Sequence, residues 1–226
     1  WRGLSLDVAR SFLPVEYLEK TLDRMAFFKL NRLHLHLTDD QGWRIEIKQY
    51  PKLMEIGGAS AVKGGRSGWY TQEELKHLVA YSQARGITIV PEIDLPGHVQ
   101  AALASYNELA CDDTKNLAPY SGLEVGFSVL CLDKPDVVYP FVRNVLEEVL
   151  AIFPSQEIHV GGDEIKHPLY ADFVSRAAAM VDEMGRTPIF WEEGSVAATK
   201  PNVLFQFWND GYDIADYMSV NPDYGT

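Results

Sequence analysis

Apolar and polar residues alternate along this chain in two rhythms that take turns. Leu4-Ser5-Leu6-Asp7-Val8-Ala9 alternates with a period of two, as a half-buried strand does. After Pro14, the apolar positions Tyr17, Leu18, Leu22, Met25, Ala26 and Leu30 recur at helical spacing. Arg32-Leu33-His34-Leu35-His36-Leu37 returns to the strand period. Pro51 to Gly68 is glycine-rich and reads as a long loop. Thr71, with Glu74 three residues on, is a capping box opening a helix that stops at Gly86. Ile87 to Val90 predicts a strand ended by Pro91-Glu92-Ile93-Asp94, followed by a short helix from His98 to Leu109 and a loop through Ser128. The second half repeats the scheme. Helices are predicted from Asp136 to Phe153 and from Pro168 to Met184, and a helical turn from Asp213 to Met218. Strands are predicted from Glu157 to Val160, Pro188 to Trp191 and Val203 to Trp208.

Six strands therefore centre near Leu4, Leu35, Val90, Ile158, Ile189 and Phe205. Their alternation with helices predicts an α/β fold with a parallel sheet or barrel and helices outside. Nearly every strand ends in residues able to do chemistry: Asp7 and Arg10; Asp39 and Asp40; Glu92, Asp94 and His98; Asp163 and Glu164; Glu192 and Glu193; Asn209 and Asp210. An open Rossmann-type sheet concentrates chemistry at one switch point with a glycine-rich phosphate loop, and no such loop is present. Chemistry spread over many strand ends favours a (β/α)8 TIM-type barrel, with about six of its eight strands in this chain.

A length of 226 residues, 46% of them hydrophobic, suits one domain spanning 1–226. No run of roughly eighteen apolar residues marks a membrane span. The chain opens at Trp1-Arg2-Gly3 directly into a strand pattern, which suggests an excised segment with no signal peptide. A net charge of −12 argues against nucleic acid or an anionic membrane as partner. Cys111 and Cys131 form no C-x-x-C pair, so neither a zinc ribbon nor a redox motif is expected. Two buried thiols are the simpler expectation and a single disulfide the alternative, which leaves the compartment open.

The stretch EIHVGGDEIK at 157–166 holds the most pointed chemistry. Neighbouring residues on an extended chain face opposite ways, so Asp163 and Glu164 cannot share one task. A turn at Gly161-Gly162 would let them perform two tasks at one site. The competing explanation is an acidic helix N-terminus favoured by the helix dipole. In LHLHLTDDQGW, His34 and His36 share one strand face and the leucines the other. A divalent metal held with His98, His159 and Asp163 is one reading. The His pair, however, lies inside a strand running on through Leu37 and Thr38, so histidines hydrogen-bonded within the barrel, and no metal, are expected. Trp191 and Trp208 each end a strand beside a polar residue. Core packing is the ordinary role of tryptophan, but flat apolar walls beside carboxylates and amides also suit a sugar ring.

Together, RGLSLDVAR at 2–10, KLNRLHLHLTDDQGWRIEIK at 29–48, ITIVPEIDLPGH at 87–98, VGFSVLCLDK at 125–134, IHVGGDE at 158–164 and FWEE at 190–193 resemble glycoside hydrolase family 20, the β-N-acetylhexosaminidases. The resemblance implies a (β/α)8 catalytic barrel with no cofactor and a small carbohydrate substrate. It implies a retaining mechanism in which the substrate's own 2-acetamido oxygen attacks the anomeric carbon. Glu164 would then be the acid/base and Asp163 the residue that orients the acetamide. Arg10 would hold sugar hydroxyls, Asp39 and His98 would stand behind the acid, and Trp191 and Trp208 would wall the pocket. His36, Asp40 and His159 would be supporting residues. The family's last two strands are expected beyond Thr226. A six-stranded piece would have open edges prone to self-association and a pocket missing one wall. A non-catalytic sugar-binding fragment and a metal-dependent barrel hydrolase are the alternatives.

Overall fold

The computed structural model describes residues 1–197 and 202–208. In chain order it contains β1 (Gly3–Asp7), α1 (Val15–Phe27), β2 (Arg32–His36), β3 (Thr38–Asp39), β4 (Gly42–Trp43), α2 (Lys52–Glu55), α3 (Gln72–Gln83), β5 (Thr88–Glu92), α4 (Gln100–Ser105), α5 (Pro135–Ile152), β6 (Glu157–His159), α6 (Tyr170–Glu183), β7 (Thr187–Trp191) and β8 (Leu204–Gln206). Strands β1, β2, β5, β6, β7 and β8 form one sheet in that order, every neighbouring pair parallel. Parallel strands in sequence order with helices between them are the pattern of a (β/α)8 barrel, here over six of its strands. All six expected strands are present. The helical turn expected at 213–218 and the strand-end pair Asn209 and Asp210 lie outside the described residues.

The local rules explain the elements. Helix α1 buries Leu18, Leu22 and Met25, which share one face because they are spaced by three and four residues. The capping box of α3 forms in both directions: Thr71 Oγ1 accepts from the Glu74 N–H at 3.2 Å, and Glu74 Oε2 accepts from the Thr71 N–H at 2.8 Å. In β2, Leu33 and Leu35 enter the core beneath the helices, while His34 and His36 occupy the opposite face, where both meet Glu92. The register aligns Asp7 with His36, His36 with Glu92, and Glu92 with His159. One row across four adjacent strands thus carries four ionisable side chains.

Three expectations need correction. The Pro51–Gly68 segment is not a structureless loop: it holds α2 and two 3-10 turns, too short to show a period. Strand β2 stops at His36; Leu37 still donates to Glu92 O at 3.2 Å, but Thr38 already belongs to the β3–β4 hairpin. Cys111 and Cys131 are not free thiols but a disulfide. The Cys131 N–H donates to Leu109 O at 2.8 Å, and this backbone pairing returns the chain to within bridging distance, with Cα atoms 4.7 Å apart.

One side chain sutures the loops around the sheet's carboxyl end. Arg44 is fully buried and forms no ion pair among the described residues. Its guanidinium donates instead to the carbonyls of Val8, Ala9, Gln41, Gly58, Ser60 and Gly68, at 2.6 to 3.4 Å. Burial pushes its pKa down to about 10, so it remains a cation at neutral pH.

Candidate active site

The acids sit where the sheet's strands end. After β6 the chain passes through Gly161 (φ +78°) and Gly162 (φ +97°), conformations that side-chain-bearing residues rarely adopt. A Cβ on Gly161 would also fall on the Asp94 carboxylate. The Tyr170 hydroxyl donates to Gly162 O and fastens the turn. Glu164 itself has φ +56°, a strained value for a non-glycine residue. No helix starts here: α6 begins six residues on, at Tyr170, so a helix N-terminus does not explain the acids.

Between these acids and the β3–β4 hairpin stands His98, a wholly buried imidazole with carboxylates at both nitrogens. Nδ1 lies 3.4 Å from Asp39 and 3.6 Å from Asp40; Nε2 lies 3.3 Å from Glu164 and 3.6 Å from Asp163. Burial opposes a cation at this position, but Asp39 and Asp40 outweigh it and the pKa is pushed up to about 12. Burial likewise lifts the Asp163 carboxyl to about 6, against the pull of His98. Its Oδ1 is buried without a hydrogen-bond partner among the described residues. Asp94, beside it, is raised well above the ordinary carboxylate range by burial and then by Asp163.

Arg10 completes this side of the site. It meets Asp7 at 2.9 Å and Asp39 at 2.8 Å. Asp39 also accepts from His36 Nε2 at 2.8 Å. Burial works against the Asp39 carboxylate, yet His36 and His98 hold its pKa below the usual range.

Arg10, Asp39, His98, Asp163 and Glu164 are therefore joined by ion pairs or close approach. Trp191 stands at the end of β7, packed on His159 at 4.8 Å between centroids, and its indole N–H donates to Glu92 at 3.0 Å. Trp208 is more exposed and lies farther out. Its contacts are with Glu192 and Glu193 rather than with the acid pair.

Several buried His/Asp/Glu triplets, including His34, Glu92 and His159, bring ligand-type atoms within 4.8 Å of one another. In that triplet both Glu92 oxygens already accept hydrogen bonds from neighbouring side chains. The buried histidines expected from the sequence are thus placed as hydrogen-bonding partners. Sequence reasoning gave no role to Glu92 or Arg44. Glu92 carried a signal in the strand-ending PEID; Arg44 carried none.

A sequential parallel sheet with acids gathered at its carboxyl ends places the chain among (β/α)8-barrel catalytic domains. The family model "Glycosyl hydrolase family 20, catalytic domain" matches residues 1–172, and the chain belongs to that family. A β-N-acetylhexosaminidase of Cellulomonas fimi is 41% identical over 97% of this chain and 45% of its own length. A β-hexosaminidase of Akkermansia muciniphila is 39% identical over 93% of this chain and 48% of its own. Among solved structures, a mutant Streptomyces plicatus β-hexosaminidase in complex with the product GlcNAc matches with a TM-score of 0.91 and 43% identity, over 98% of this chain and 45% of that one. The chain spans about half the length of the curated relatives it matches.

Proposed function

We propose that this chain carries the acid/base side of an exo-acting β-N-acetylhexosaminidase, which removes terminal β-linked N-acetylglucosamine or N-acetylgalactosamine with retention. The observation that carries the reading is the acid pair beyond the Gly-Gly turn. Asp163 and Glu164 are adjacent in sequence yet both face one side of His98, at 3.6 and 3.3 Å. That arrangement suits two roles at one centre. Glu164, partly open to solvent, gives its proton to the glycosidic oxygen and later takes one from water. Asp163 accepts the acetamido N–H, for which its unpartnered buried Oδ1 is fitted, and aims the amide oxygen at the anomeric carbon. Bond formation at that carbon and departure of the protonated leaving group yield a bicyclic oxazolinium ion, which water opens. Arg10 binds sugar hydroxyls; Asp39 and His98 brace the acid; Trp191 and Trp208 wall the ring and acetamide.

The test compares hydrolysis of an aryl β-N-acetylglucosaminide with that of the aryl β-glucoside by the native protein. The reading expects turnover of the first and almost none of the second. Equal turnover, or a covalent glycosyl ester trapped on either carboxylate, refutes the mechanism. Sugar binding without turnover would favour a non-catalytic relative.

A further inference from the structure

Glu92 has no part in this chemistry, yet four side chains from three other strands converge on it. It closes β5 and is fully buried. Its Oε2 meets His34 Nε2 at 2.7 Å and His36 Nδ1 at 2.6 Å, and its Oε1 meets Trp191 Nε1 at 3.0 Å and His159 Nδ1 at 3.2 Å. A buried carboxylate needs partners, but here the two oxygens lead to different walls of the site. Oε1 fixes the Trp191 indole. Oε2 leads through His36 to Asp39, which engages Arg10 at 2.8 Å and approaches His98 at 3.4 Å; His98 in turn faces Glu164.

We propose that Glu92 is a positioning residue that fixes the Trp191 wall relative to the acid/base, holding the indole with one oxygen and the His36–Asp39–His98 chain with the other. This rests on the roles given above to Trp191, Asp163 and Glu164. Charge supports the geometry. His36 is buried, which disfavours its cation, but Glu92 and Asp39 raise its pKa well above the ordinary value. Glu92 stays ionised despite burial because His36, His159 and His34 surround it. Among the described residues, Arg10 with its partner Asp7, and Asp40, Asp94, Asp163 and Glu164, are the other charged or titratable groups near this chain. An amide in place of Glu92 would remove one of the two charges that raise the His36 pKa, and so weaken His36 as a cationic partner of Asp39.

The test uses Glu92→Gln and Glu92→Asp in the native protein. Readouts are kcat and KM on a β-linked N-acetylglucosamine disaccharide and on an aryl N-acetylglucosaminide, GlcNAc affinity, and the NMR titration of His36. The expected result for folded Glu92→Gln is roughly a 10- to 100-fold loss of kcat/KM, the scale on which removing a supporting partner acts at other sites. KM and kcat should both be affected, since wall and acid move together, and the His36 pKa should fall toward neutrality. A folded variant within twofold of wild type on both substrates, with His36 unchanged, overturns the proposal, as does lowered stability with intact kinetics. If Glu92→Gln does not fold, Glu92→Asp decides: it keeps the charge but shortens the reach, so impaired turnover supports the proposal and wild-type kinetics overturn it. A wild-type protein inert on both substrates would instead refute the proposed function, and the Glu92 inference would then stand or fall on GlcNAc affinity and the His36 titration.

Discussion

Replacing Arg44 with methionine keeps most of the volume and removes every donor. Six carbonyls lose a partner. Two of them retain another: Gly58 O still accepts from the Gly68 N–H at 3.0 Å, and Gln41 O from Ser60 Oγ at 2.8 Å. Val8, Ala9, Ser60 and Gly68 then lose the guanidinium with no second hydrogen-bond donor to their carbonyls among the described residues. Each buried orphan costs about 1–3 kcal/mol. Taking the low end for four carbonyls, because the loops can relax toward water, gives about 4 kcal/mol. That is a large share of a typical domain stability of about 5–15 kcal/mol. A domain of this size loses roughly 2–4 °C in midpoint per kcal/mol, so a fall of about 8–16 °C is expected. Arg44→Lys, with its three donors, should fall in between. Urea and thermal unfolding of the native protein and both variants supply the measurement. A loss below about 1 kcal/mol for Arg44→Met, or a lysine variant no better than methionine, would show that the carbonyls find water and that Arg44 is not what holds them.

Three further outcomes are expected. Glu164→Gln should lower turnover of substrates with poor leaving groups by about two to four decades while sparing activated aryl glycosides; steady-state kinetics on a disaccharide check this, and a near-normal rate there rejects Glu164 as the acid. Asp163→Asn should abolish most activity yet stabilise the fold. The carboxyl is raised to about 6 from 3.8 by burial, so its native state holds the proton more tightly than the unfolded chain does and stability falls as pH rises between those values. The variant should gain up to about 3 kcal/mol at pH 7 and nothing near pH 3, and pH-dependent unfolding with no gain at neutrality would refute the burial argument. Serine at both Cys111 and Cys131, which are 20 residues apart, should cost about 3 kcal/mol in urea unfolding through the freer unfolded chain; a change under about 1 kcal/mol would mean that the backbone pairing at Leu109 alone holds the loop.

The six strands and the acid pair were legible because their signals are local. Strand β2 announces itself by alternating leucine and histidine, and Gly161-Gly162 followed by Asp163-Glu164 marks a sharp turn within four residues. What escaped depends on chain segments meeting. Cys111 and Cys131 become a bridge only because the loop returns to Leu109. The hub at Glu92 is assembled from β2, β5, β6 and β7, and no spacing along the chain encodes it. Arg44 reads as an ordinary surface arginine, since nothing nearby reveals the six carbonyls that surround it. Helix α2 and the β3–β4 hairpin are shorter than the window in which a period can be seen.

The row of Asp7, His36, Glu92 and His159 limits how such a domain can evolve. Because side chains alternate across a strand, losing one residue from β5 would carry Pro91 or Ile93 into the position of Glu92, and a slip in β2 would offer leucine where histidine stood. The contacts that Glu92 makes with His34, His36 and His159 would be lost together, with no half-step between the two registers. The turns leaving the strand ends are held by other devices, the Arg44 contacts to loop carbonyls and the Gly161-Gly162 turn. Insertions and deletions in descendants of this chain should therefore collect away from both the strands and these pinned points, so that lineages inherit strand lengths and the acid turn unchanged.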